Sequence, residues 1–351
     1  MPLLIKRDGW GGTGLVRLRG NVVTKNHPRT EIHVVHRCES HESDTKQRIF
    51  PRCCGVIDEQ ETEDRLMNSK ISLPNGQEIA YDVRERGTIS VIQLHGLTSS
   101  RARDEILGLD FTADIDGVRA ARYDAPGHGE SPVPSVGDAM PADFSWPRLA
   151  EVLEGVMDSI FPSGDTGETS SSTADSTTAP TQHVVGIGQS MGAATLLTAA
   201  ARNPERFAGL VLIIPPTIWE VRGDQAEQYV RFAELIEQHG MSLFRDASTS
   251  GQLPPAIDPE RPDTDPDVDP TLLPTLYRGA ARTNLPPREE IEKLDIPVLI
   301  LAWTEDPAHP LWSAEALAEA LPNAELEVAD TPSEVENWPA RMEKFIASTG
   351  R

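Results

Sequence analysis

The sequence predicts an α/β protein with a mostly parallel, doubly wound sheet, and three observations carry that prediction. Short apolar runs alternate with helix-patterned segments over most of the chain, which implies parallel strands with helices on both faces. The stretch His183 to Ala201 reads strand, sharp turn, helix: an apolar run from Val184 to Ile187, then Gly188-Gln189-Ser190-Met191-Gly192, then an Ala/Leu-rich helix. Polar and glycine-rich loops fall repeatedly just after the apolar runs, at the carboxyl ends of the strands, where ligands bind in such sheets.

The elements follow in order from Ile71. ISLPNGQEIAYDVRE reads as two strands joined around Pro74-Asn75-Gly76, an Asn-Gly pair suited to a hairpin. Ile89 to Leu94 reads as a buried strand, Asp104 to Leu109 as a helix, and Val118 to Tyr123 as the next strand. The helix expected from Trp146 to Phe161 places Leu149, Val152, Leu153, Val156 and Ile160 along one face. Residues 163–182 carry almost no apolar side chains and read as a flexible surface insertion. Ala208 to Ile214 is a further buried strand.

Residues 215–294 interrupt the alternation and read as a helical cap: one helix over Gln225 to His239, a Pro/Asp-rich run from Pro254 to Pro270, and a shorter helix near Leu272 to Ala281. Trp219, Tyr229, Phe232, Ile236, Phe244 and Tyr277 in this segment could roof a pocket or form the core of the cap itself. Alternation resumes with a strand at Val298 to Ala302, a helix at Ser313 to Leu321, a strand at Ala324 to Ala329 and a last helix around Trp338 to Ile346.

The net charge of -23 is unevenly spread. Residues 1–66 hold 11 Lys+Arg against 10 Asp+Glu, leaving 21 basic and 45 acidic residues of the total 32 and 55 for the remainder. So acidic a body repels nucleic acid and anionic membrane, and neither is an expected partner. No run is long and apolar enough for a membrane span, and the N-terminus lacks an apolar stretch fit for a signal peptide, so a cytoplasmic protein is expected.

All three cysteines, Cys38, Cys53 and Cys54, lie in the first segment, so no disulfide staples the body. The cluster His33, His36, Cys38, His41 lacks paired ligand spacing, and no metal is expected. Residues 1–66 show no sustained periodicity. They read either as an appendage, disordered in that case, or as sequence upstream of a true start at Met67, the reading favoured because the coherent pattern of 67–351 begins there.

The Gly188-Gln189-Ser190-Met191-Gly192 turn has the strand and helix context of a nucleophile elbow. Its neighbours are His95-Gly96-Leu97-Thr98 after one strand, Asp124-Ala125-Pro126-Gly127-His128-Gly129-Glu130-Ser131 after another, and Asp306-Pro307-Ala308-His309-Pro310 after a late strand. In this combination the chain, over roughly residues 71–348, resembles the α/β-hydrolase family, in the esterase-like subgroup with a helical cap. The resemblance implies Ser190 as nucleophile, Asp306 as acid and the backbone N–H groups of Leu97 and Met191 as oxyanion hole. It implies no cofactor and a small-molecule acyl substrate, with His95, Gly96, Trp219 and Tyr229 at the pocket.

A serine hydroxyl needs an imidazole to take its proton and a carboxylate to orient that imidazole. The family places this histidine after the last strand, near Asp330-Thr331-Pro332, but no histidine follows His309. Three accounts stay open: His309 reaches Ser190 from the loop of Asp306; another group or water supports weak turnover; or the chain binds ligands without turning them over. His95 and His128 are expected in structural hydrogen bonds, and Glu305 and Asp124 are reserve carboxylates.

Overall fold

The computed structural model describes residues 15–18, 21–24, 33–35, 67–133, 136–162, 183–249 and 253–349. The chain divides into two compact units, 1–59 and 60–351. In the first, β1 (Leu15–Leu18), β2 (Asn21–Thr24) and β3 (His33–Val35) pair antiparallel with β2 in the middle. Strands of three or four residues are too short to display a period of two, so the sequence does not announce them. Otherwise the expectations for 1–66, including its cysteines and the cluster around His36, and for the insertion 163–182, lie outside the described residues.

The second unit is built on eight strands: β4 (Met67–Ser72), β5 (Glu78–Glu85), β6 (Gly87–Leu94), β7 (Gly117–Tyr123), β8 (Val184–Gln189), β9 (Phe207–Ile213), β10 (Val298–Trp303) and β11 (Ala324–Ala329). Their spatial order is β11-β10-β9-β8-β6-β7-β5-β4. Only β5 runs against the others, antiparallel to both β4 and β7. The β4–β5 hairpin turns where expected, with Gly76 at φ 82 and its N–H donating to the Leu73 carbonyl at 2.8 Å.

Both faces of the central strands are buried, which is why they read as continuous apolar runs. In β10 Val298, Ile300 and Ala302 point into one cluster, with Leu153 and Val156 of α2 (Trp146–Ile160), Leu196 of α3 (Met191–Arg202) and Leu317 of α7 (Leu311–Ala320). Leu299, Leu301 and Trp303 point into the other, with Phe111 and with Met342 and Phe345 of α9 (Trp338–Thr349). Ile300 has no exposed surface, so Ile300→Ala would cost roughly 2–5 kcal/mol.

The first helix, α1 (Arg101–Leu107), starts three residues before its expected position. Ser100 caps it by accepting from the Arg103 N–H at 3.0 Å. Its first turn escapes an apolar-periodicity test because its buried residues, Arg101 and Asp104, are charged. Between β9 and β10 lie α4 (Arg222–Thr249), α5 (Leu273–Ala281) and the short α6 (Arg288–Ile291). The helix expected to end at His239 does break there, at Gly240 (φ 75, ψ -176), and then continues. A four-residue turn, α8 (Pro332–Val335), precedes α9. Among the described residues no helix is long and apolar enough to cross a membrane.

Candidate active site

The carboxyl ends of β6, β8 and β10 bring three loops together. Between the last residue of β8 and the first of α3 stands only Ser190, with φ 52 and ψ -108. A non-glycine residue in such a conformation stores on the order of 1–3 kcal/mol and persists only when its surroundings impose it. Here the Ser190 N–H donates to the Ile213 carbonyl of β9 at 3.0 Å, and its own carbonyl accepts from the Ala194 N–H at 3.1 Å. The flanking glycines are required by close approach. A Cβ at Gly188 would lie 2.5 Å from the Gly192 carbonyl carbon, and one at Gly192 would lie 2.6 Å from the Leu94 oxygen.

His309 reaches this serine across the end of β9. Its Nε2 lies 2.8 Å from Ser190 Oγ and its Nδ1 lies 2.9 Å from Asp306 Oδ2. An ionised carboxylate only accepts, so Nδ1 carries a proton, and in the neutral imidazole Nε2 is then the acceptor facing the hydroxyl. The loop Asp306-Pro307-Ala308-His309-Pro310 is wound around its own carboxylate. Asp306 Oδ1 accepts the Ala308 N–H at 2.9 Å and the His309 N–H at 3.2 Å, while Oδ2 also accepts the Trp303 indole N–H at 2.8 Å. Burial would raise the Asp306 pKa, but the hydrogen bond and charge of His309, the indole and the Ala308 amide outweigh it and hold the group below the usual carboxylate range. The three side chains stay accessible from one side: the Asp306 and His309 side chains are 11% and 18% exposed, and Ser190 is 8% exposed.

The His95-Gly96-Leu97-Thr98 loop lies against the elbow, with the Cβ position of Gly96 3.7 Å from Ser190 Cβ. A turn closes it, the Ser99 N–H donating to the Gly96 carbonyl at 3.1 Å, with Thr98 at φ 69. Leu97 therefore sits beside the serine on one strand end, while Met191, at the first position of α3, sits on the other. His95 is expended on structure. Its Nδ1 pairs with the Gly96 carbonyl at 2.8 Å and its Nε2 accepts the Ala125 N–H at 2.9 Å, so both nitrogens are occupied. Burial lowers its pKa and keeps it neutral. His128, with Nδ1 on the Pro126 carbonyl, is pushed by burial and by neighbouring His95 down to about 3.

Asp124 and Glu305, the reserve carboxylates, lie elsewhere. Asp124 accepts the Arg101 and Glu130 N–H groups and an Arg101 guanidinium hydrogen, bracing its loop as expected. Glu305 is exposed at φ 58. Arg101 continues into a buried chain of charges: Arg101 to Asp82 at 2.9 Å, Asp82 to Arg122 at 2.8 Å, Arg122 to Asp110 at 2.7 Å and Asp110 to Arg84 at 2.6 Å.

A cleft of about 520 Å³ opens onto Ser190 and His309. Its far wall is the Pro-rich stretch with Pro254, Ile257 and Thr264, and its near wall includes Gly96, Leu97 and Arg103. That stretch is tied down at both neighbouring loops: the Asp267 N–H donates to Thr98 at 3.0 Å, Ser100 Oγ to Asp267 Oδ2 at 2.5 Å, and the Gly129 N–H to Asp267 at 2.9 Å.

Three of the expected pocket residues do not line this cleft. His95 instead lines a small cavity together with Tyr123 and Met191. Trp219 turns away, its indole donating to the Pro286 carbonyl at 2.9 Å with the Arg288 guanidinium over its ring. Tyr229 packs on Tyr277 in the apolar cluster with Phe232, Ile236 and Phe244. A helical hairpin of this size needs a core of its own, and its aromatics supply it. Gly96 does line the cleft. Sequence reasoning missed Trp303, Arg103 and Thr264; the indole directly preceding Thr304-Glu305-Asp306 was the one local signal.

Residues 94–337 match the alpha/beta hydrolase family, and the chain belongs to that family. The solved structures similar to it include a hydrolase from Pseudomonas aeruginosa PA01 (20% identity, TM-score 0.60, 80% of this chain and 97% of that one). Others are the enol-lactonase from Burkholderia xenovorans LB400 (20%, 0.59, 80% and 99%) and a thermophilic esterase from Thermogutta terrifontis (20%, 0.60, 81% and 99%). At such identities the likeness extends to the fold. No curated protein matches the chain.

Proposed function

We propose that the protein is a serine hydrolase that cleaves a carboxylic ester of a small molecule through an acyl-serine intermediate. The observation that carries this reading is the contact of 2.8 Å between His309 Nε2 and Ser190 Oγ, with Nδ1 resting on Asp306. Ser190 Oγ attacks the ester carbonyl carbon as its proton passes to His309 Nε2. The resulting oxyanion is met by the N–H groups of Leu97 and Met191, each donor worth roughly 2.7–4 kcal/mol in the transition state. Collapse breaks the bond to the leaving alcohol, whose oxygen takes the proton back from Nε2. Water then loses a proton to Nε2, attacks the acyl carbon and releases the acid, restoring Ser190. Asp306 remains ionised throughout, fixing the tautomer and stabilising the imidazolium.

The sequence as written consumes only ester and water, so no cofactor is invoked. The helical segment between β9 and β10 acts as the cap, its Pro-rich stretch excluding water from the cleft. The acidic body argues against nucleic acid and anionic membrane as partners, and the cysteine-free 67–351 suits the cytoplasm. The rival reading, a non-catalytic binder on the same scaffold, takes its motive from the missing histidine after β11; the contact of His309 with Ser190 favours the hydrolase over it. A fluorophosphonate probe tests the two. Labelling of Ser190 that is lost in Ser190→Ala and in the denatured chain is the expected result, and a folded protein that is never labelled would overturn the hydrolase reading.

A further inference from the structure

The cleft wall carries two arginines, and among the described residues neither forms an ion pair. Arg103 leaves α1 and lays its guanidinium along the Pro-rich stretch, Nε donating to Thr264 Oγ1 at 2.9 Å and Nη2 to the Thr264 carbonyl at 3.3 Å. Both acceptors are neutral. Arg261, on the Pro-rich stretch itself, is exposed and lines the same cleft. Among the described residues no carboxylate lies within ion-pair distance of either guanidinium, although Asp263 shares the wall and Asp104 is the next residue but buried beneath α1. The buried arginines Arg84, Arg101 and Arg122 are each paired with Asp or Glu, whereas buried Arg222 in the cap donates to neutral oxygens of Thr217, Ala280 and Thr283.

Two like charges near one another in a partly desolvated wall are unfavourable unless something neutralises them. Burial weakens the hold of Arg103 on its proton, nearby Asp104 opposes that and Arg261 adds to it, and the arginine stays charged at any pH of interest. In a chain of net charge -23 the cleft that reaches the serine is comparatively rich in cations, its two arginines balancing Asp263 and Asp306 in the lining. An anion approaching so acidic a molecule is repelled at long range and needs a compensating cationic patch at the site.

We infer that Arg103 and Arg261 form a subsite for a carboxylate on the substrate, so that the ester hydrolysed at Ser190 belongs to a half-ester of a dicarboxylic acid or a similar acyl chain bearing a distal anion. This rests on the hydrolase reading for the reaction, while the anion subsite stands on the arginines themselves. Arg103 is pre-positioned by Thr264, leaving guanidinium hydrogens that Thr264 does not use. Arg261 adds charge from the rim. Neither touches the reacting atoms, and both act on specificity.

The test compares two esters with the same leaving group, the para-nitrophenyl half-ester of glutarate and para-nitrophenyl pentanoate, at low ionic strength. The wild-type chain is expected to favour the glutarate ester in kcat/KM. The ratio of the two kcat/KM values should fall roughly 10- to 100-fold in Arg103→Gln, the scale of a lost charged hydrogen bond, and mainly through KM. Arg103→Lys should restore part of it. Arg261→Gln should lower the ratio as well, and its exposed side chain, with no hydrogen bond of its own, makes misfolding an unsuitable excuse. Raising the salt concentration should erase the preference. A ratio unchanged in both variants overturns the subsite. Calorimetric titration of monomethyl glutarate into Ser190→Ala separates this from failure of the hydrolase reading: absence of turnover on every ester sinks the reaction, whereas absence of binding, or binding unaffected by Arg103→Gln, sinks the subsite alone.

Discussion

The Trp303 indole N–H and His309 Nδ1 converge on a single oxygen, Asp306 Oδ2, at 2.8 and 2.9 Å. The indole is stacked on Trp338 with ring centroids 6.0 Å apart, so its direction is set by the core beneath the sheet. Trp303 is a positioning residue that orients the carboxylate. Trp303→Phe keeps the ring and deletes the donor, and is expected to lower kcat about threefold to tenfold with little change in KM, while destabilising the fold by about 1 kcal/mol. Steady-state kinetics with a neutral ester and urea unfolding check both. An unchanged kcat would mean that the two backbone N–H groups on Oδ1 suffice to orient Asp306.

Removing the proposed base acts on a different scale. His309→Ala is expected to lower kcat on the order of 10⁴- to 10⁶-fold, and Asp306→Asn about 10⁴-fold, with the double variant no worse than the histidine variant alone because the residues act as a unit. Ester turnover at the wild-type level in His309→Ala would refute the assignment. Additive losses would show that Asp306 works by some route other than His309.

Asp104 gives a pH dependence whose sign differs from that of Asp306. Burial raises Asp104 from 3.8 to about 7, against the pull of the Ser99 hydroxyl, which donates to its Oδ1 at 2.5 Å. Below a pH of about 4 the carboxyl is protonated whether the chain is folded or not. Between there and about 7 the unfolded chain ionises and the folded one does not, so stability is lost as the pH rises through the folded pKa. Asp104→Asn keeps an acceptor for Ser99 and should stabilise the protein by a few kcal/mol at pH 8 while having little effect at pH 4, as urea melts at the two pH values would show. Asp306, with its pKa held low, contributes stability of the opposite kind, present at neutral pH and lost only in acid.

The buried charge chain predicts a large asymmetric cost. Asp82 accepts from both Arg101 and Arg122 with 2% of its side chain exposed, so Asp82→Asn leaves two guanidinium groups short of a counter-charge. A loss of about 3–5 kcal/mol is expected. Arg101→Met with Asp82 retained should cost a comparable amount and also loosen Asp124, visible as faster hydrogen exchange in residues 124–131. A melting temperature unmoved by Asp82→Asn would mean that solvent reaches this network.

The sheet was legible because burial on both faces writes unbroken apolar runs such as Val184 to Ile187 and Val298 to Trp303. The hairpin was legible from Asn75-Gly76, and the elbow from its two glycines. The first turn of α1 was hidden because its buried residues, Arg101 and Asp104, are titratable rather than apolar, which no hydrophobic pattern reveals. His309 could be named only as one of three accounts, since spacing alone does not show that a loop will curl about its own aspartate. The cleft wall was the least legible part. Arg103 and Thr264 are 161 residues apart and the run between Pro254 and Pro270 has no periodicity, so the contacts that position it are wholly non-local. Aromatic content drew attention to Trp219 and Tyr229, but large rings fill a small core as readily as they line a pocket.

Asp306 and His309 occupy one turn after β10, and the loop after β11 supplies neither group. The carboxylate and imidazole are thus inherited as a single cassette, carried by a five-residue segment rather than assembled from two strand ends. Their mutual contact is made within the turn, while Thr304 on Asp330 and Trp303 on Trp338 tie that turn to β11 and α9, so insertions are tolerated only where those two contacts are kept. The converse cost is fragility at one point: a deletion or a proline replacement inside this turn displaces both groups at once, and no second loop stands ready to restore either.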